Sequence, residues 1–286
     1  VEVVRSSSLL ATFASVLLLA ACAHVREPSA PTAAAGPSVA ETTAELRRLG
    51  VSVRELAPDV FVAVVDSPNQ SAANVLFVKA RDGSVVICSS PYDTETTRAL
   101  VRYVRASLHP TRILAINTHF HGDGTGGNEG YAAEGVETYA SDHTIALQTA
   151  RGMAGIEGMA RYVESDNPAL AARVRATRVV PAQHVFHEGE GLTFDLGGER
   201  VRVLFVGGGH SADNLIVHFA DRGVLFGGCM VRSHPGLGNT ADADLEHWAA
   251  SAEAALVLAP RLVIPGHGEP GGPELLTATA AAVRAR

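Results

Sequence analysis

Lysine is nearly missing from this sequence: of 23 basic side chains in 286 residues, Lys79 is the only lysine and the rest are arginine. Schiff-base chemistry, and phosphate-cradling loops that end in lysine, are therefore left with a single candidate residue. A serine nucleophile activated by a lysine three positions on would need serine at 76, where Leu76 stands. Positive charge is short overall, with 30 acidic side chains and a net charge of −7. No basic run is present, so the electrostatic footprint of nucleic-acid binding is missing. The leading apolar run, Leu9 to Ala21, falls short of the roughly 20 residues of a comfortable membrane span. Cysteine is scarce at three residues, whereas histidine reaches twelve, and these two types are the ones able to hold a soft or borderline metal ion.

Arg5 followed by that apolar run reads as an export signal over residues 1–21. Leu19-Ala20-Ala21-Cys22 looks like a bacterial lipobox, which would make Cys22 an acylated first residue; an ordinary signal peptide cut nearby is the alternative. Residues 22–44, rich in Ala, Pro, Ser and Thr, read as a lipid-anchored flexible tether, with the folded domain at 45–286. A periplasmic location follows, with membrane contact through the lipid only. Ala23 after the lipobox cysteine favours the outer membrane. In an oxidising compartment a Cys88–Cys229 disulfide is arithmetically possible. The apolar run Val85-Val86-Ile87 instead makes Cys88 a buried strand cysteine, and Cys229 has a better use as a ligand.

Short β-rich runs at Val51–Leu56, Val60–Val65, Val75–Lys79 and Val85–Cys88 predict an antiparallel meander, followed by a helix over Thr94–Ser107 and a strand at Arg112–Ile116. A helical region is expected from Asp142 to Arg178, broken around Gly152, Gly155 and Gly158 and again at Asn167-Pro168. The second half repeats the pattern: strands at Leu192–Leu196, Val201–Val206, Leu215–Phe219 and Gly223–Phe226, a helix over Asp242–Leu258, a strand at Leu262–Ile264 and a closing helix from Pro273. Strands then helix in each half predict an α/β fold, a four-layer αββα sandwich in one domain.

The chemistry concentrates in Asn117-Thr118-His119-Phe120-His121-Gly122-Asp123-Gly124, directly after a β run. Residues two apart in extended chain project to the same side, so His119, His121 and Asp123 can converge. Two imidazoles and a carboxylate suit Zn²⁺. Three more strand-then-glycine junctions follow, each with a metal-binding side chain: His210 after Gly207-Gly208-Gly209, Cys229 after Gly227-Gly228, and His267 after Gly266. Four strand ends, each delivering ligands on a glycine-rich loop, are what a metal site on one rim of a sheet requires.

From about Val51 to the C-terminus the pattern resembles the metallo-β-lactamases, subclass B1. The resemblance implies a first Zn²⁺ on His119, His121 and His210 and a second on Asp123, Cys229 and His267, two per chain. Glyoxalase II-like hydrolases and subclass B3 carry histidine after the aspartate, where Gly124 stands, and lack the cysteine ligand; subclass B2 replaces the first histidine by asparagine. Ser89-Ser90-Pro91, the run Ile116–Asn128 and the long central helical segment are most similar to the São Paulo type. The implied activity is hydrolysis of the β-lactam amide of penicillins, cephalosporins and carbapenems by a metal-bound hydroxide that Asp123 helps to orient, giving antibiotic resistance. Arg232 would bind the substrate carboxylate, against a plain surface arginine; Asn239 would sit near the carbonyl oxygen, against a plain turn residue. Ser89 stands where most relatives have a supporting aspartate, so weaker retention of the second metal is expected. The flap Asp66–Ala73 has no aromatic residue to cover a substrate. β-Lactam antibiotics are the expected partners of a monomer. A same-fold hydrolase of another amide, lactone or thioester, or a non-catalytic zinc lipoprotein, are the alternatives.

Overall fold

A computed structural model describes residues 36–66 and 72–286. The signal segment, Cys22, most of the expected tether and the centre of the flap lie outside the described residues. The first element, helix α1 (Val39–Arg48), starts on a capping box: Ser38 Oγ accepts from the Glu41 amide at 3.3 Å and the Glu41 carboxylate accepts from the Ser38 amide at 2.8 Å. The end of the expected tether is therefore helical, and Leu46 and Leu49 pack into the core. The Ala/Thr-rich composition concealed this start.

Seven strands build one sheet: β1 (Val51–Ala57), β2 (Val60–Val65), β3 (Ala73–Lys79) and β4 (Val85–Cys88) as the antiparallel meander, then β5 (Ile113–Ile116), β6 (Glu137–Ser141) and β7 (His184–Phe186) in parallel. Five build the other: β8 (Leu192–Asp195), β9 (Arg200–Phe205), β10 (Leu215–Phe219), β11 (Val224–Arg232) and β12 (Leu262–His267). One pairing, Ala73 with His267, joins β3 to β12. The two short parallel strands β6 and β7 had no clear periodicity in sequence.

Alternation along the strands divides the apolar residues into three cores. Leu76, Val86, Leu114 and Ile116 of the first sheet meet Val203, Val217, Phe226 and Ile264 of the second in the middle layer. Their neighbours Phe77, Ile87 and Ala115 face α1, α2 (Thr94–Leu108), α4 (Asn128–Ala133), α5 (Asp142–Glu164) and α6 (Pro168–Ala176). Ile216, Leu225 and Val263 face α7 (Trp248–Ala254) and α8 (Glu274–Arg284). Strands covered on both faces read as continuous apolar runs, as these do. The expected αββα sandwich is the fold observed.

Three expectations need correction. Helix α5 runs unbroken through Gly152, Gly155 and Gly158, because single glycines among good helix formers weaken a helix without ending it, and Ile156, Ala160 and Val163 anchor it to the core. It stops before Asn167, whose side chain caps α6 with Pro168 in the first turn. The helix expected from Asp242 starts only at Trp248, since Asp242 is engaged elsewhere. Strand β11 continues through the glycines to Arg232, so Cys229 lies within a strand rather than on a loop. Cys88 and Cys229 are both free and buried, and no disulfide joins them.

Candidate metal centre

The loop leaving β5 is fixed by a pair of amides. Asn117 Nδ2 donates to Asn128 Oδ1 at 2.9 Å and to the Gly124 carbonyl at 2.8 Å, and Asn128 Nδ2 returns a bond to Asn117 Oδ1 at 2.8 Å. All of this is buried, so each polar group has its partner where water cannot supply one. Asp123 sits in the single-turn helix α3 (Gly122–Thr125) that follows. Only glycine fits at 124, because a Cβ there would lie 2.1 Å from the His119 carbonyl oxygen and 2.8 Å from its Nδ1. Gly266 is constrained likewise, since its Cβ would come within 2.5 Å of Cys229 Sγ.

His210 is held on the β9–β10 loop by a buried network. Ser211 Oγ and Thr144 Oγ1 donate to the two oxygens of Asp213 at 2.7 and 2.8 Å, which ties the start of α5 to this loop. Trp248, fully buried, packs behind the imidazole at a ring separation of 6.0 Å and donates to the Met230 carbonyl. At the end of β12, His267 Nδ1 donates to the Ala72 carbonyl at 3.0 Å, which leaves Nε2 facing inward.

The six expected ligands come together at one rim. The rings of His119, His121 and His210 stand 4.9 to 6.0 Å apart, and one ligand atom from each lies within 4.8 Å of the others. His119, Asp123 and Cys229 form a second such group. His267 Nε2 completes it, 3.2 Å from Asp123 Oδ2 and 3.4 Å from Cys229 Sγ. Cys229 Sγ is 2.9 Å from Asp123 Oδ2. His119 Nε2 is buried with only Asp123 Oδ1 beside it, at 3.4 Å, and His210 Nδ1 is buried without a hydrogen-bond partner; polar atoms so poorly satisfied in the interior fit a centre built to hold a metal ion. The donor set of nitrogens, thiol and carboxylate suits a borderline divalent ion.

The electrostatics agree. Burial, reinforced by His121 and His119, pushes His210 well down, so its imidazole is neutral and has a lone pair to give. Burial raises Asp123, but His119 and His267 outweigh it and hold the carboxyl well below its ordinary range. Burial and the Asp123 charge push the Cys229 thiol well up in the metal-free protein.

A family model of the metallo-β-lactamase superfamily matches residues 70–267. The chain belongs to this superfamily. It is similar to the metallo-β-lactamase type 2 of Bacteroides fragilis, 29% identical over 237 residues, covering 80% of this chain and 84% of that protein. The Pseudomonas aeruginosa metallo-β-lactamase type 2 is 32% identical over 195 residues, with 68% and 67% covered. The solved metallo-β-lactamase of Pontibacter korlensis matches with a TM-score of 0.67 at 26% identity, covering 82% of this chain and 100% of that one. That of Hirschia baltica gives 0.65 at 29%, covering 82% and 97%.

In this metallo-β-lactamase superfamily member the centre opens into a cavity of about 480 Å³ that also takes in Arg232 and Asn239. Arg232 is half-buried with its Nε unpartnered, and burial lowers its pKa. Asn239 fits both readings open to it, since it lines the cavity while its Oδ1 accepts from the Ala241 amide in a turn. Ser89 sits at a left-handed φ of 69°, its Oγ 2.6 Å from Thr118 Oγ1. Two residues were not anticipated from sequence. Asp242 Oδ2 lies 2.9 Å from His121 Nε2, and Arg151 of α5 is bonded to the other oxygen of the same carboxylate. Helix α5 also lines the cavity, a placement that no local feature of the sequence marks.

Proposed function

We propose that this protein hydrolyses the amide bond of β-lactam antibiotics, penicillins, cephalosporins and carbapenems among them, and so confers resistance. The observation that carries the reading is the His119/His121/His210 cluster beside the Asp123/Cys229/His267 cluster, lining one cavity. The first cluster would hold one Zn²⁺ and the second another. When bound, zinc supplies Lewis acidity and water activated at neutral pH.

The chain's own groups do the rest. Asp123, held ionised, accepts a hydrogen bond from the attacking water and orients it. Arg232 pairs with the substrate carboxylate, bidentately where geometry allows. The Asn239 side-chain amide donates toward the carbonyl oxygen of the ring. Asp242 accepts a hydrogen bond from the Nε2–H of His121, which leaves Nδ1 as the ligating nitrogen.

Cys229 together with His119 favours subclass B1 within the superfamily, and Ser89-Ser90-Pro91 with the long α5 favours a São Paulo-like type. Residues 1–21 act as an export signal, Cys22 as the lipid anchor and the following segment as a tether, which puts the domain in the periplasm. Purified protein lacking residues 1–21, incubated with one member of each antibiotic class, is expected to open the ring in every case and to stop on adding a chelator. Absence of chelator-sensitive ring opening on all three would remove the reading. Labelling of the exported protein by a radioactive fatty acid, lost in Cys22→Ala, tests the anchor.

A further inference from the structure

Side chains alternate along strand β3, and Asn74 shares with Leu76 and Val78 the face turned toward the second sheet. A primary amide, 3% exposed, thus stands where the alternation calls for an apolar side chain. Burying an amide is costly unless its donors find acceptors. Both do: Nδ2 donates to the Pro265 carbonyl at 2.9 Å and to the Gly268 carbonyl at 2.7 Å. Those two carbonyls bracket His267, the candidate ligand at the end of β12.

The chain around His267 has need of such a brace. Glycine stands on either side of the ligand, and neither glycine can give way to a stiffer residue. A Cβ at 266 would lie 2.5 Å from Cys229 Sγ, and one at 268 would run into Ser233 Oγ at a φ of +86°. Glycine leaves its own segment of backbone free to rotate. The sheet constrains it little: the register between β11 and β12 shifts on both sides of Gly228, and β12 meets β3 through the one pairing of His267 with Ala73. Ser233 Oγ adds a bond to the His267 carbonyl at 3.1 Å, but of these two side chains Asn74 is the buried one, and it spans both sides of the ligand.

Asn74 also ties the ligand's backbone to the strand that receives its ring. The Nδ1 proton of His267 goes to the Ala72 carbonyl, two residues before Asn74, so backbone frame and ring acceptor move as one unit. The ligands of the three-histidine cluster are held by other groups, among them the Asn117–Asn128 pair, Asp213 and Asp242, none of which is bonded to Asn74.

We infer that Asn74 is a positioning residue for the second metal: by bracing the carbonyls that flank His267 it fixes the direction of Nε2 toward Asp123 and Cys229. It touches neither metal nor substrate. This rests on the two-metal reading of the centre and not on the identity of the substrate.

The test titrates cobalt(II) into the metal-free protein against a competing chelator, in the parent and in Asn74→Asp and Asn74→Leu. Aspartate keeps the shape and turns an oxygen toward the two carbonyls; leucine matches the apolar face. The sulfur-to-cobalt charge-transfer band reports the cluster that contains Cys229, and the same titration in a Cys229→Ala background reads the three-histidine cluster alone. Affinity at the Cys229 cluster is expected to fall at least about tenfold, the scale of a lost supporting partner, with the three-histidine affinity unchanged. Unchanged affinity at the Cys229 cluster, or equal losses at both clusters as a general weakening of the fold would give, would overturn the role. Should neither variant fold, the parent decides: the side-chain amide signals of Asn74 should shift in the nitrogen–proton spectrum as zinc fills the Cys229 cluster, and signals that stay in place would overturn the role. A parent that develops no sulfur band at saturating cobalt would remove the two-metal reading and the role with it.

Discussion

His121 Nε2 and Asp242 Oδ2 are 2.9 Å apart, and the second oxygen of Asp242 is bonded to Arg151 of helix α5. A candidate metal ligand is thereby tied to the helix that walls the substrate cavity. A carboxylate on one imidazole nitrogen fixes the tautomer and turns the other nitrogen toward the metal. Asp242→Ala is expected to weaken zinc binding at the three-histidine site by about 10- to 100-fold, the range for such supporting partners. Arg151→Ala should cost less, because Asp242 keeps its bond to His121. Chelator competition followed by the spectrum of the cobalt-substituted protein measures both. Equal affinities in parent and Asp242→Ala would show that the pair does not orient the ligand.

Zinc uptake at the second cluster should release protons. In the metal-free protein the Cys229 thiol is pushed well above its ordinary value by burial and by Asp123. It is therefore protonated at neutral pH and must give up its proton to ligate. Calorimetry in buffers of different ionisation enthalpy should detect that proton in the parent and lose it in Cys229→Ala. The same shift sets a sign for stability. An acid whose folded pKa is raised stabilises the fold while protonated, so this contribution is full below the unfolded value, about 8.5, and is lost as pH rises toward the folded one. Chelated protein should melt at lower temperature as pH climbs past about 8.5, and a Cys229→Ala variant should lack that part of the decline.

What the sequence made legible was set by distance along the chain. His119, His121 and Asp123 lie within five residues, and each remaining ligand was marked by its own strand-and-glycine junction, a local signal. The layered fold was legible for the same reason, since alternation within a strand reports its two faces. Asp242 and Arg151 gave no such signal: their partners lie 121 and 91 residues away, and nothing beside either residue marks it. The glycines of α5 were read as breaks because their local meaning is flexibility. Their actual setting, a helix anchored on one side and facing a cavity on the other, exists only after folding.

Stability should depend on the amide pair under the metal loop. Asn128→Ala removes one partner of the Asn117–Asn128 pair and leaves Asn117 Oδ1 buried without its donor. A buried polar group stripped of its partner costs roughly 1–3 kcal/mol. Denaturant unfolding of the metal-free variant should show a loss of that size. Since the loop carries His119, His121 and Asp123, zinc affinity should fall with it. A loss of stability with unchanged affinity would mean that the pair supports the core and not the loop.

Arg232 offers the sharpest check on how substrate is held. It is half-buried at the cavity, its Nε has no hydrogen-bond partner, and burial already disfavours its charge. A group in that state gains from an anionic partner, and a hydrogen bond to a charged group is worth about 1.5–3 kcal/mol. Arg232→Ala is expected to lower kcat/KM for an anionic β-lactam by roughly 10- to 100-fold, matching that energy. For a β-lactam whose carboxylate is esterified the loss should be small. Because the guanidinium meets the carboxylate before and during ring opening alike, the loss should fall on KM, with kcat nearly constant. A variant that hydrolyses acid and ester with the parent's preference would show that Arg232 faces the cavity without binding the substrate.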